Sequence, residues 1–331
     1  MSRPDAAPAP QRVSVVVCAF TERRWDDLCK AVASLGRQSV APEEVVVVID
    51  HNEALLERAQ RTFSHATVVA NLAEQGLSGA RNTGMSVALG DTVLFLDDDA
   101  SADPEWLREM TEPLVDPDVV GVGGYVLPAW DGGVEPAWFP EEFYWVVGCS
   151  YRGLPGDRQP IRNPIGAAMA FRAPSVRAAG GFSSTLGRIG DKPVGCEETD
   201  LSLRISAREP DRRVVLARTA VVHHRVPKDR QHLGYFLRRC YWEGVSKAVL
   251  ARRIGDGGGP GLSSERTHAL KTLPTGMLRA VVESLAERRP ARALRAGAIV
   301  LGLAATVFGY ASGTARKGTD VVQDGKEPVH A

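Results

Sequence analysis

From residue 13 onward the chain alternates short apolar runs with segments whose apolar residues recur at helical spacing. Val13 to Cys18 reads as a strand, Asp26 to Arg37 as a helix, Glu44 to Ile49 as a strand, Ala54 to Thr62 as a helix and Thr67 to Ala70 as a short strand. Ser78 is placed to cap a helix over Gly79 to Leu89, and Val93 to Leu96 forms a strand that ends abruptly in Asp97, Asp98 and Asp99. Strands that are apolar on both faces and alternate with helices predict an α/β fold. It is a Rossmann-like, mostly parallel sheet flanked by helices, with ligands at the carboxyl ends of the strands. Further along, Ala167 to Phe171 is another apolar run, Arg213 to Val222 is strand-like, and Leu233 to Arg252 reads as a basic, aromatic helix. Leu270 to Ala286 spaces Leu273, Met277, Leu278, Val281, Val282 and Leu285 as an amphipathic helix does.

The end of the chain reads differently. Ala296 to Ala315 holds 20 residues without a charge, with Arg292 and Arg295 ahead of it and Arg316 and Lys317 behind. That is just long enough to cross a bilayer, while its Ala and Gly content also suits a helix lying on a surface. Arg288 and Arg289 add to the upstream flank. If the segment inserts, the positive-inside rule leaves the large N-terminal part at the inner, cytoplasmic face of the membrane. Gly309 and Gly313 form a small-xxx-small pair suited to helix packing.

Composition removes several classes. The 331 residues carry 40 basic and 40 acidic side chains, so the overall charge gives no argument for a nucleic acid partner. Cys18, Cys29, Cys149, Cys196 and Cys240 are scattered without a CxxC pair, which reads as reduced thiols and not as a zinc site. The apolar run Val13 to Phe20 is too short for a secretory signal, so the catalytic part is expected in the cytosol. No GxGxxG follows the first strand and no GKS or GKT occurs, which argues against a dinucleotide site and a P-loop.

Three clusters carry candidate chemistry. Asp97, Asp98 and Asp99 repel one another at a strand end unless a cation joins them, and a hard divalent ion such as Mg²⁺ or Mn²⁺ satisfies that charge; a solvated acidic turn is the plainer reading. The segment Gln75 to Gly84 sets glycines and a Ser at a helix start, with Gly79, Arg81 and Asn82 placed for a phosphate or ribose, or simply as an ordinary capped helix. Glu197, Glu198 and Asp200 precede Leu201, Leu203 and Ile205, as acids at a helix N-terminus do. Between these clusters, Tyr125 to Asn163 is rich in aromatics; most suit packing, and one or two, Trp138 among them, are candidates for stacking on a ligand.

In order along the chain, the strand Val13 to Thr21, the turn at Asp50, Gly76 to Gly84, Asp97-Asp98-Asp99, Gly195 to Leu201 and the pair His223-His224 resemble family 2 glycosyltransferases of the GT-A fold, over about Val13 to Leu250. The resemblance implies an inverting enzyme that moves a sugar from a nucleoside diphosphate to an acceptor hydroxyl, with a divalent metal on the diphosphate. It places Ala19, Phe20, Asp50, Asp97, Asp98 and Gly166 with Gly79, Arg81 and Asn82 around the donor. Metal ligation falls to Asp97, Asp99 and one or both of His223 and His224, with Asp99 the first choice. Glu198 takes the position of the base, with Glu197 and Asp200 on the acceptor side.

The implied layout is a disordered lead over 1–11 and a catalytic domain over 12–252. The domain divides into a nucleotide-binding half at 12–100 and an acceptor and catalytic half at 101–252. A linker and amphipathic helix follow over 253–295, with a hinge at Asp256 to Pro260, then the apolar helix at 296–315 and a disordered tail at 316–331. The acceptor is expected to be a glycan or a lipid-linked, cell-envelope precursor, and the basic segments Arg225 to Arg230 and Leu233 to Arg252 suit either an anionic lipid or open water. Two departures stand out. Asp50-His51-Asn52 replaces an acid pair, which weakens any expectation of uridine, and the Gln-x-x-Arg-Trp motif of processive members is missing, so one sugar per encounter is expected. Two other classes fit less well: a catalytically silent sugar-nucleotide-binding subunit, and a nucleotidyltransferase, whose glycine-rich loop is lacking at Cys18 to Arg24.

Overall fold

The structure is a computed structural model that describes residues 12–184, 196–254, 268–286 and 293–315. Its strands are β1 (Val13–Ala19), β2 (Glu44–Ile49), β3 (Thr67–Ala70), β4 (Thr92–Asp97), β5 (Ala100–Ala102), β6 (Val119–Trp130), β7 (Pro160–Ile161), β8 (Ala168–Arg172) and β9 (Arg213–Val226). Its helices are α1 (Trp25–Leu35), α2 (Glu53–Thr62), α3 (Leu77–Val87), α4 (Trp106–Thr111), α5 (Ala173–Ala178), α6 (Glu197–Arg208), α7 (Leu233–Ile254), α8 (Leu273–Ala286) and α9 (Ala293–Ala315). The expected lead, hinge and tail lie outside the described residues.

One sheet runs in the order β3-β2-β1-β4-β8-β6-β9-β5, with β7 also paired to β9. The first four strands are parallel, as the βα alternation predicts. From there the sheet is mixed: β8 is antiparallel to both β4 and β6, β6 and β9 are parallel, and β5 and β7 run antiparallel to β9. Both faces of the parallel half are covered. Val15 and Val17 pack with Leu28, Leu35 and Leu55 on one side, while Val16 packs with Ala80, Met85 and Phe95 on the other, which is why these strands are apolar at every position.

Two local expectations change. Helix α3 begins at Leu77 and is preceded by Gly76 at φ +125°, so Ser78 lies inside the helix and does not cap it. The left-handed glycine turns the chain so sharply that Gly79 packs its Cα onto the Glu74 carbonyl, leaving no space for a side chain. Strand β9 continues to Val226, because β6 pairs with it as far as Trp130↔Val226 and β5 pairs with it on the other side. The two histidines therefore sit within a strand and not after it.

Candidate active site

Strand β4 ends at Asp97 and the chain turns through Asp98 and Asp99 into β5, whose register sets Ala100 opposite His224. Asp99 Oδ1 lies 3.0 Å from His224 Nε2, and Asp99 Oδ2 lies 3.0 Å from Arg24 Nη1. Arg24 also donates to Asp98 Oδ1 at 2.9 Å, and Arg230 Nη1 stands 3.9 Å from Asp99. Burial works to raise the Asp99 carboxyl, but the charge and hydrogen bond of His224, then Arg24 and Arg230, hold it well below the usual range. For His224 burial works downward, and Asp99 and then Cys149 raise it well above the ordinary histidine value. Asp98 is pushed up to about 7 by burial and then by the charge of Asp99, against the pull of Arg24.

One ligand atom each from Asp97, Asp99 and His224 lie within 4.8 Å of one another. Two carboxylate oxygens and an imidazole nitrogen form a donor set that a divalent cation of the Mn²⁺ kind accepts. Asp97 is the open member, with 29% of its side chain exposed. Nearby, Asp98 Oδ2 is a buried oxygen without a hydrogen-bond partner among the described residues. The residues present fit the cation that the triple acid suggests.

The second set of acids meets the first through one buried cation. Arg81, at the start of the second turn of α3 and 2% exposed, places its guanidinium 3.4 Å from Asp97, 3.3 Å from Glu197 and 3.6 Å from Glu198. It also donates to the Gly166 carbonyl at 3.3 Å and rests 5.4 Å from the centre of the Phe182 ring. Glu197 and Glu198 open α6, whose preceding residue Cys196 is left-handed at φ +79° and provides no side-chain cap. Glu198 is pushed up to about 7, by burial first and then by the charge of Glu197, with Arg81 pulling the other way. Gly166 lies against this pair so closely that a Cβ there would collide with the Glu198 carboxylate and the Arg81 guanidinium.

Not every expected site residue has its polar atoms free for a ligand. The Asp50 carboxylate accepts from Asn71 Nδ2 at 2.6 Å and from the Gly76 amide at 2.9 Å, and His51 Nδ1 lies 2.8 Å away, so it ties down the loop that leads into α3. Asn82 clasps the backbone of Phe182 with two bonds of 2.8 Å, and Asp200 is paired with Arg204, which bonds the Gly181 carbonyl. His223 departs furthest from the expected metal set. Successive residues of a strand face opposite ways, and His223 turns outward to Asp103 at 3.1 Å, 46% exposed, while His224 is buried against Asp99. Ala19 is buried at the end of β1, and Phe20 follows it half exposed, with Arg24 5.7 Å from its ring centre. Trp138 meets Phe236 edge to face at 5.6 Å and Phe139 at 5.1 Å, a partly buried member of an aromatic wall.

The structure also brings in residues the sequence reading did not assign to the site. Arg24 and Arg230 neutralise the acids from distant segments, and Cys149 Sγ lies 3.9 Å from His224 Nδ1, behind the ring. Three unpaired-looking acids in a row were themselves the signal that cations must come from elsewhere in the fold.

The sequence profile described as Glycosyl transferase family 2 matches residues 14–179. The chain is 34% identical over 310 residues to the glucosyl-dolichyl phosphate glucuronosyltransferase of Haloferax volcanii, spanning 91% of this chain and 96% of that one. With the pre-mycofactocin glycosyltransferase of Mycobacterium tuberculosis it shares 27% identity over 302 residues, 88% of this chain and 60% of the other. In fold it is similar to the mannosyltransferase PcManGT from Pyrobaculum calidifontis, solved with GDP-Man and Mn²⁺. The TM-score is 0.59 at 21% identity, over 95% of this chain and 90% of that one. GalNAc-T7, solved with UDP, GalNAc and Mn²⁺, gives a TM-score of 0.52 at 15% identity over 84% of this chain and 58% of its own. Site, sheet and matches converge, and the chain belongs to glycosyl transferase family 2: it is a glycosyltransferase built on the GT-A fold.

Proposed function

We propose that this glycosyltransferase moves one sugar, with inversion at the anomeric carbon, from a nucleoside-diphosphate sugar to a hydroxyl of a lipid-linked or cell-envelope precursor at the cytoplasmic face of a membrane. The observation that carries the reading is the Arg81 bridge. One buried guanidinium touches Asp97 on the metal side and Glu197 and Glu198 on the other, so the two halves of a transfer site are held at a fixed spacing. Asp97, Asp99 and His224 would hold Mn²⁺ or Mg²⁺, which when bound neutralises charge on the departing diphosphate. The Mn²⁺ in the PcManGT and GalNAc-T7 structures supports that choice.

Glu198 accepts the acceptor's proton. As the hydroxyl oxygen attacks the anomeric carbon, the bond from that carbon to the diphosphate breaks and the O–H proton passes to the Glu198 carboxylate. A base poised near 7 is suited to this at neutral pH. Gly166 leaves the space in front of Glu198 that a side chain would close. Phe20 stands half exposed at the carboxyl end of β1, on the donor side, and Trp138, partly buried against Phe236, is the aromatic assigned to the acceptor side. A lipid-linked acceptor is supported by the Haloferax volcanii relative, whose name gives glucosyl-dolichyl phosphate as its substrate.

The test is thermal-shift binding of a panel of nucleoside-diphosphate sugars with and without Mn²⁺ or Mg²⁺, on the wild type and on Asp99→Ala. A metal-dependent shift with one donor, lost in the variant, is the expected result and identifies base and sugar together. Folded wild-type protein that shifts with no donor overturns the proposal.

A further inference from the structure

Helix α9 has 23 residues and is about 35 Å long, enough to cross the ~30 Å core of a bilayer. Its packing points elsewhere. Gly302 lies against Phe143 and Phe236, where a Cβ would stand 2.7 Å and 2.8 Å from the rings. Further along, Gly309 sits on the backbone of Tyr241, Gly244 sits on that of Thr306 and Tyr310, and Gly313 meets Val245 and Ala248. These contacts advance in step along both helices, so α7 and α9 run parallel with their backbones in touch. Arg252 of α7 closes the seam by bonding the Gly313 carbonyl at 2.6 Å and that of Thr314.

Helix α7 is not free to follow α9 into hydrocarbon. Its first turn buries Phe236 among Trp138, Phe139 and Phe143. Its middle carries the Lys247–Glu243 ion pair at 3.3 Å, and both charges act on Cys196, the residue that opens α6 ahead of Glu197 and Glu198. Standing α9 upright in a bilayer would therefore pull an ion pair, an arginine and the edge of the active site into the lipid core, where each charge is costly.

The outer side of α9 is of the opposite character. Val300, Leu301, Leu303, Val307 and Phe308 are exposed, and only 22% of the helix's most apolar stretch is buried. A groove of about 580 Å³ between α8 and α9, lined by Leu273, Met277, Ile299 and Leu303, opens on this side, and Leu278 and Val282 of α8 are exposed as well. Lys271 lies exposed at the start of that face beside Leu270, where an anionic headgroup would meet it, and Tyr310 is partly exposed at the far end, as interfacial aromatics are.

We infer that α8 and α9 form a single docking face that lies in the plane of an anionic lipid bilayer, so that α9 enters one leaflet and does not cross. The inference rests on the membrane-associated reading above and deepens it: Gly302 of α9 packs directly on the buried rings of Phe143 and Phe236 in the catalytic domain, so a docked α9 would hold that domain against the membrane surface, where a lipid-linked acceptor lies.

Two experiments on the full chain test this. In sealed inside-out vesicles, epitopes at both ends are digested by added protease; a protected C-terminal epitope beside a digested N-terminal one shows crossing and overturns the inference while leaving membrane association standing. With liposomes of phosphatidylcholine and phosphatidylglycerol, Val307→Asp combined with Phe308→Asp weakens binding by about tenfold or more, because both side chains point outward. The same variant keeps the wild type's donor thermal shift, which separates lost docking from misfolding. Unchanged liposome binding by that variant overturns the inference. Wild-type protein that ignores liposomes and sediments as a dimer overturns the membrane reading itself and assigns the face to a second copy.

Discussion

Asp99 and Glu198 are both buried carboxylates beside arginines on one edge of the sheet, yet they are driven in opposite directions. His224 and Arg24 lie 3.0 Å from Asp99, with Arg230 at 3.9 Å, so three cationic groups outweigh its burial. Glu198 has only a share of Arg81, at 3.6 Å, and that guanidinium also serves Asp97 and Glu197. For Asp99 the cations outweigh burial, whereas for Glu198 burial and then the charge of Glu197 outweigh the one shared guanidinium. A group held anionic beside a group raised toward neutrality is the pairing that the proposed transfer reaction would use.

The contrast can be broken from its proton-taking side first. Glu198→Gln keeps the shape but removes the proposed base, so turnover should fall by about 10² to 10⁴ with donor affinity retained; steady-state kinetics beside thermal shift reads both. Arg81→Ala leaves the buried Glu197 without its cation, with the partly exposed Asp97 losing the same partner, and should cost about 3–5 kcal/mol in denaturant unfolding. In the wild type, log kcat/KM should fall as pH drops below about 7, because Glu198 is raised from its ordinary value and protonation disables a base. The rate loss approaches tenfold per pH unit, and its assignment to Glu198 fails if the same limb persists in the residual activity of Glu198→Gln. Gly166→Ala pushes a methyl against Glu198 and Arg81 and should lower stability by about 1–3 kcal/mol, read by thermal unfolding. His223→Ala removes an exposed pair with Asp103 and should change stability by less than about 1 kcal/mol without altering metal-dependent donor binding.

Along the parallel half the sequence pattern located the strands: the expected spans of β2 and β3 coincide with those in the structure. The mixed half was less legible. Strand β6 holds Gly121, Gly123, Gly124 and Pro128, residues that local propensity reads as loop, and long-range pairing with β9 overrides them. Among the expected site residues, the structure brings Asp97, Asp99, Glu198 and Arg81 together, a clustering that acids and an arginine at element ends already suggested. Asp50, Asn82 and Asp200 had the right chemistry and position, but each is taken up by a loop or helix partner whose approach no local pattern encodes. The choice between His223 and His224 turned on where β9 ends, since a strand assigns alternate faces and a loop does not.

The glycine seam between α7 and α9 bears on how the protein can be handled in the laboratory. An apolar C-terminal helix invites trimming to obtain material that stays in solution. Here the cut would strip the cover from Phe143, Phe236 and Val245, side chains that are 0–2% exposed in the intact chain, and replace one sticky surface with another set against the catalytic core. Polar substitutions confined to the outward positions of α9, with its glycines kept, are the route to a soluble form whose aromatic core stays covered.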